Sequence, residues 1–218
     1  MTKLKDGYIA MFGKDWYEVL EDFITQPVFF NIANNLKRKR STTKVIPDSK
    51  LVFRAFRETG YYQTKVVIIG DYNTNGLAFC CANRLTNTIE VDNFLKEIDR
   101  TYPERKNNID FDNIDRGDLS RWARQGVLLF SVALTMDTKP HYEYWKPFIE
   151  EVLKKLNERY NLIFVFMGKE THKFKDLISQ YNMIIPCPHP STDEFVGSRV
   201  FVEINERLNA LNKKEIVW

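Results

Sequence analysis

Apolar residues fall into two kinds of run along this chain. Val66 to Ile69, Val127 to Phe130, Leu162 to Met167 and Met183 to Ile185 are short and continuous, as strands buried on both faces require. Elsewhere apolar positions recur every three or four residues. Val91, Phe94, Leu95 and Ile98 share one helical face, and Tyr144, Phe148, Val152, Leu153 and Leu156 share another. Two amphipathic helices are predicted before the first strand, from about Asp15 to Ile24 and from about Pro27 to Lys39, followed by a looser segment to Phe56. Pro27 suits a first helical turn. Asp118 is placed to cap a short helix that carries Leu119, Trp122 and Ala123 and ends at Gly126. Helices over Lys173 to Gln180 and Val202 to Leu211 complete the count.

Strands that alternate with helices predict an α/β fold, with a short central parallel four-stranded sheet flanked by helices on both faces. Each apolar run opens into a polar turn, reaching Asp71, Ser131, Lys169 and Ser191 in order. Four strand ends are therefore expected to share one crevice. Ligands of such sheets bind beyond the strands' carboxyl ends.

Composition narrows the class. With 218 residues, 44% of them hydrophobic, and no linker-like stretch, the chain reads as one domain over 1–218 with one core. Cys80 and Cys81 are adjacent and Cys187 is remote, so neither a disulfide framework nor structural zinc is expected, and a reducing setting fits. No apolar run has signal-peptide or membrane-spanning length, and a soluble protein is expected. The net charge of +3 is too small to argue for a polyanionic partner by itself. Lys37 to Arg40, with Thr42, Thr43 and Lys44 beyond, reads first as a solvated basic helix end and second as a phosphate site. Gly70 to Gly76 matches neither a Walker loop nor a dinucleotide fingerprint, which counts against nucleotide hydrolysis.

Several stretches then line up in order: Val52 to Phe56, Gly76-Leu-Ala-Phe79, Gly117 to Leu129, Leu134-Thr135, the helix with Trp145 and Phe148, the strand ending at Gly168, His189-Pro-Ser191, and Ile216 to Trp218. Together they resemble family 1 uracil-DNA glycosylases from about Trp16 to Trp218. The resemblance implies a monofunctional enzyme that flips a nucleotide out of DNA, hydrolyses its N-glycosidic bond and leaves an abasic site, with no metal or other cofactor. It implies DNA as partner. A monomer is expected, with a protein partner left open, in the cytoplasm or on the nucleoid, or in the nucleus of a eukaryote.

The family's water-positioning loop reads GQDPYHG and continues before its Gly-Leu-Ala-Phe; here Gly70-Asp-Tyr-Asn-Thr-Asn-Gly76 runs directly into Leu-Ala-Phe79, so the segment before Gly-Leu-Ala-Phe is shorter. Counting from Gly70 sets Asp71 at the family's Gln, and a one-residue slip makes it the water-positioning carboxylate. Asp71 is the catalytic candidate, against two others: Asp71 only caps a turn, or Asn73 positions the water. A family Tyr closes against pyrimidine C5 and excludes thymine. Here Tyr72 is left to fill that space, and a pocket that admits a C5 substituent is expected.

Phe79 matches the aromatic residue that stacks on the flipped base, and His189 the imidazole that stabilises charge on the leaving base. Ser131 stands where the family has the Asn that reads the uracil edge. A hydroxyl is shorter and brings a single donor, so uracil specificity is open. Ser191 and the amides near Gly168 would hold DNA phosphates, with charge from Lys169, and Arg199 would face DNA. The family's Leu wedge has no counterpart after Ser191. Phe195 is either a substitute wedge or a core residue, while Asp193 and Glu194 would repel phosphate.

Three readings follow. The first is a glycosylase for a non-canonical pyrimidine, uracil or a C5-modified base; a bulky cytosine modification, as in some viral genomes, would connect it with defence. The second is a uracil-specific repair enzyme with a divergent loop. The third is an inactive homologue that binds DNA or protein.

Overall fold

The computed structural model describes residues 2–81, 87–104 and 117–218. Its centre is a sheet of β1 (Val66–Tyr72), β2 (Val127–Ala133), β3 (Ile163–Met167) and β4 (Met183–Pro186), in the spatial order β2, β1, β3, β4. All three pairings are parallel. The continuous apolar runs form these strands because helices cover both of their faces.

On one face, α4 (Arg54–Glu58) and α7 (Tyr142–Asn157) pack through aromatic rings, with Phe56 and Phe130 6.0 Å apart and Phe56 and Phe148 5.6 Å apart. Behind them α1 (Thr2–Phe12), α2 (Lys14–Ile24) and α3 (Pro27–Thr42) extend the layer, and Phe12 reaches Phe53 at 4.4 Å. The other face carries α5 (Ile89–Thr101), α6 (Ser120–Ala123) and α8 (Val200–Ala210), joined by contacts of Phe94 and Trp122 with Phe201, and of Trp122 with Trp218.

Three departures from the sequence pattern have local causes. The first helix, α1, lies before Gly13, where the weakly amphipathic sequence carried no clear stripe; Phe12 docks it into the core. Helix α3 continues past Lys39 to Thr42, and the Ser41, Thr42 and Thr43 hydroxyls bond back to the Arg38 and Lys39 carbonyls of its last turn. The helix expected over Lys173 to Gln180 is a 3₁₀ helix over Thr171–Leu177. It starts early because the Thr171 hydroxyl donates to the Gly168 carbonyl at 2.6 Å and Asp71 accepts its first amides.

β1 and β2 also run further than their apolar stretches, which places Asp71 and Ser131 inside strands rather than in turns. Gly70 pairs with Ser131 across the sheet. Phe195 is fully buried against Phe94 and Phe201, so it is a core residue and not a wedge.

Candidate active site

The tip of β1 is built around a missing side chain. A Cβ at Gly70 would stand 2.9 Å from Cζ of Phe79, so the Phe79 ring rests on the strand backbone. Phe79 itself has φ 62°, a left-handed conformation that non-glycine residues seldom adopt and that tends to mark functional loops. Its ring meets Phe94 edge-on at 5.4 Å and the His189 ring at 6.0 Å.

Residues 73–75 turn the chain between β1 and Gly76. Asn73 Oδ1 accepts the Gly76 amide at 2.8 Å, and Arg54 bonds both the Asn75 carbonyl and the Ser120 hydroxyl. Gly76 is required: its φ is +80°, and a Cβ there would lie 2.0 Å from the Leu51 carbonyl oxygen. The short loop is thus braced from α4.

Asp71 leans toward β3. A Cβ at Gly168 would fall 2.2 Å from Asp71 Oδ1, so glycine makes the room that the carboxylate occupies. Oδ1 accepts the Glu170 and Thr171 amides at 3.0 and 3.3 Å. Burial raises the Asp71 carboxyl above its ordinary range, although the Thr171 amide and nearby His189 pull the other way.

His189 follows β4 on the segment Cys187-Pro-His-Pro190. Its Nδ1 lies 2.7 Å from the Ser191 hydroxyl and accepts the Ser191 amide at 3.2 Å. An amide can only donate, so Nδ1 is the acceptor and a neutral imidazole carries its proton on Nε2.

Asp71, Tyr72, Asn73, Phe79 and His189 line one cavity of about 160 Å³, joined by Thr74, Cys80, Thr88 and Glu90. An aromatic face, an imidazole N–H and a carboxylate converge there. That set can hold a planar ring, donate to an acceptor on it, and present negative charge to a developing cation.

Residues 56–209 match the family described as the uracil DNA glycosylase superfamily. The chain belongs to that superfamily. Curated relatives agree: the uracil-DNA glycosylase of Actinobacillus succinogenes is 31% identical over 94% of this chain and 97% of its own length. That of Aliarcobacter butzleri is 29% identical over 93% and 99%. The crystal structure of the mimivirus uracil-DNA glycosylase has a TM-score of 0.83, covering 97% of this chain and 88% of that one at 20% identity. A mimivirus UNG variant in complex with UGI gives the same score, and both show the α/β fold. The expectation of a monofunctional DNA glycosylase agrees with this membership.

Within the superfamily fold, other candidates stand elsewhere. Ser131 does not line the cavity: β2 continues past it, it is fully buried opposite Gly70, and its hydroxyl has no hydrogen-bond partner. Ser191, assigned from sequence to a phosphate, directs both its hydroxyl and its amide at His189. Lys169 is exposed beside the buried Gly168. Arg199 is exposed at the start of α8, 3.6 Å from Glu206, and its amide bonds Glu97. Thr74, Cys80, Thr88 and Glu90 were not foreseen, because nothing in their local pattern distinguishes a cavity wall from a loop. Asn93 and Glu97 did leave a signal. They are polar residues four apart beside the apolar stripe of α5, a spacing that puts both on one edge of the helix.

Proposed function

We propose that this protein is a DNA glycosylase that hydrolyses the N-glycosidic bond of a flipped non-canonical pyrimidine, uracil or a C5-modified base, and leaves an abasic site. One observation carries the reading: Phe79, His189 and Asp71 share a single cavity at the strand tips. The base stacks on Phe79. As the bond from the sugar C1′ to the base N1 breaks, its electron pair goes to the base, and the His189 Nε2–H donates to the base oxygen where that charge collects. Asp71 stabilises the sugar cation and orients the water that adds to C1′; the proton released passes to solvent.

Two features support a pocket that accepts a C5 substituent. The loop after β1 is short, and Tyr72 is 48% exposed at the cavity rim instead of covering the cavity. Asn73 brings a buried Nδ2 with no partner, a donor suited to the base edge that Ser131 does not reach. The hydrogen bonds that the Glu170 and Thr171 amides donate to Asp71 favour a second reading, a homologue that binds DNA without turnover, since they give that carboxylate a purely structural task.

The test is release of free base from oligonucleotides carrying uracil, hydroxymethyluracil, hydroxymethylcytosine or glucosylated hydroxymethylcytosine. Release of a C5-modified base supports the proposal, and release of uracil alone gives the uracil-specific enzyme. DNA binding with no release gives the second reading. His189→Ala is expected to slow release by about 100-fold or more while DNA binding changes little.

A further inference from the structure

His189 sits between two prolines, on a segment that has left the sheet, so backbone ladder bonds do not hold it. Pro190 has no N–H, and its carbonyl is the one polar backbone group it brings. That carbonyl accepts a hydrogen bond from Nδ2 of Asn93 at 2.8 Å. Asn93 is 6% exposed on α5, and its Oδ1 faces Lys96 Nζ at 3.3 Å, which orients the amide with Nδ2 toward the loop.

The same helix holds the rest of this side of the cavity. Phe94, the next residue, packs edge-on against Phe79. One turn on, the fully buried Glu97 carboxylate accepts the Gly197 and Arg199 amides at 2.6 and 2.9 Å and pairs with Arg100. Thr88 and Glu90, at the start of α5, line the cavity. One rigid element therefore sets both the stacking ring and the loop that carries the imidazole.

We infer that Asn93 is the positioning residue for His189: its hydrogen bond to the Pro190 carbonyl fixes the imidazole Nε2–H at the height from which it meets the leaving base. The role rests on the glycosylase reading above, but the geometry behind it does not. Ser191 fixes the tautomer and rotation of the ring, and two hydrogen bonds from Thr192 to the His189 carbonyl close the turn. Among the described residues, the bond from Asn93 is the side-chain hydrogen bond that ties this turn to α5. Losing it lets the ring swing, and a displacement of an ångström at a catalytic donor costs rate rather than affinity.

Asn93→Asp keeps the shape but replaces the donor with a carboxylate oxygen that repels the Pro190 carbonyl. For the most readily cleaved oligonucleotide of the panel, kcat is expected to fall about tenfold or more while KM changes less than about twofold. In the double variant N93A/H189A, the rate falls no further than in H189A alone, because a residue acting only through His189 has nothing left to position. Imidazole ¹⁵N spectra of the DNA-free protein supply a readout independent of turnover. Wild type is expected to show the His189 Nε2–H tautomer, and N93D an averaged signal. If circular dichroism shows N93D unfolded, Asn93→Ser removes the same donor without adding charge. Unchanged kcat in a folded variant, an unchanged His189 signal, or additive losses in the double variant each overturn the inference. If wild type releases no base, the glycosylase reading fails, and the spectra alone still decide whether Asn93 holds His189.

Discussion

At Asp71 the role proposed in catalysis is set against stability. Burial raises its folded-state carboxyl above the ordinary value of about 3.9, so the folded chain binds that proton more tightly than the unfolded chain. Its contribution to stability is present at low pH and is lost as pH rises through the raised value. Ionisation, which the proposed chemistry needs, therefore works against folding. Asp71→Asn keeps an Oδ1 to accept the Glu170 and Thr171 amides and removes the buried charge. Thermal melts at pH 7 should find this variant at least as stable as wild type, while single-turnover rates fall by about 100-fold or more. In wild type the rate should drop on acidification through a pKa above the ordinary carboxylate range, and that limb should vanish in the variant. Loss of stability with retained rate would make Asp71 the turn cap that its residue type alone suggests. Phe79 and His189 were legible as candidates because their neighbours repeat a family pattern. Ser131 is buried away from the cavity lining; pattern matching gives a strand position but not whether a cavity reaches it.

The helix α5 shows at the next scale what an amphipathic stripe conceals. Its apolar face was plain from Val91, Phe94, Leu95 and Ile98. The positioning role proposed for it lies one position to the side, at Asn93, and the buried carboxylate of Glu97 follows one turn on. Burial alone would raise the Glu97 carboxyl, but the Arg100 guanidinium and the Gly197 and Arg199 amides outweigh it and hold the value below the ordinary range. With a depressed folded-state pKa, its stabilisation is present at neutral pH and is lost as pH falls through the carboxylate range. Glu97→Gln should cost about 2–3 kcal/mol at pH 7, measured by urea unfolding, and the difference from wild type should shrink toward pH 3. A cost that does not vary with pH would show that shape, not charge, matters at that site. Element types and most boundaries followed from periodicity, whereas the 3₁₀ helix over Thr171–Leu177 did not. Its start depends on Asp71, a residue 100 positions away, bonding the Thr171 amide.

At the scale of the whole molecule, the loop after Ser191 bears on the proposed encounter with a duplex. Phe195 is spent on the core, and Asp193 and Glu194 are exposed with the wrong sign for phosphate. Extruding a base from a duplex costs a few kcal/mol of stacking and pairing, and this loop offers little to offset it. Release of the same base from single-stranded DNA should therefore exceed release from duplex by about tenfold or more at equal salt. Equal rates would mean that another part of the surface supplies the wedge. The linear order of residues determined the fold class, the sheet's four strands and the family, because continuous and periodic apolar runs depend only on neighbours in the chain. Which polar groups face one cavity, that Ser131 is buried outside its lining, and that α5 bonds the histidine loop were decided by tertiary packing. Such contacts join residues far apart in sequence, and no local pattern encodes the distance between them.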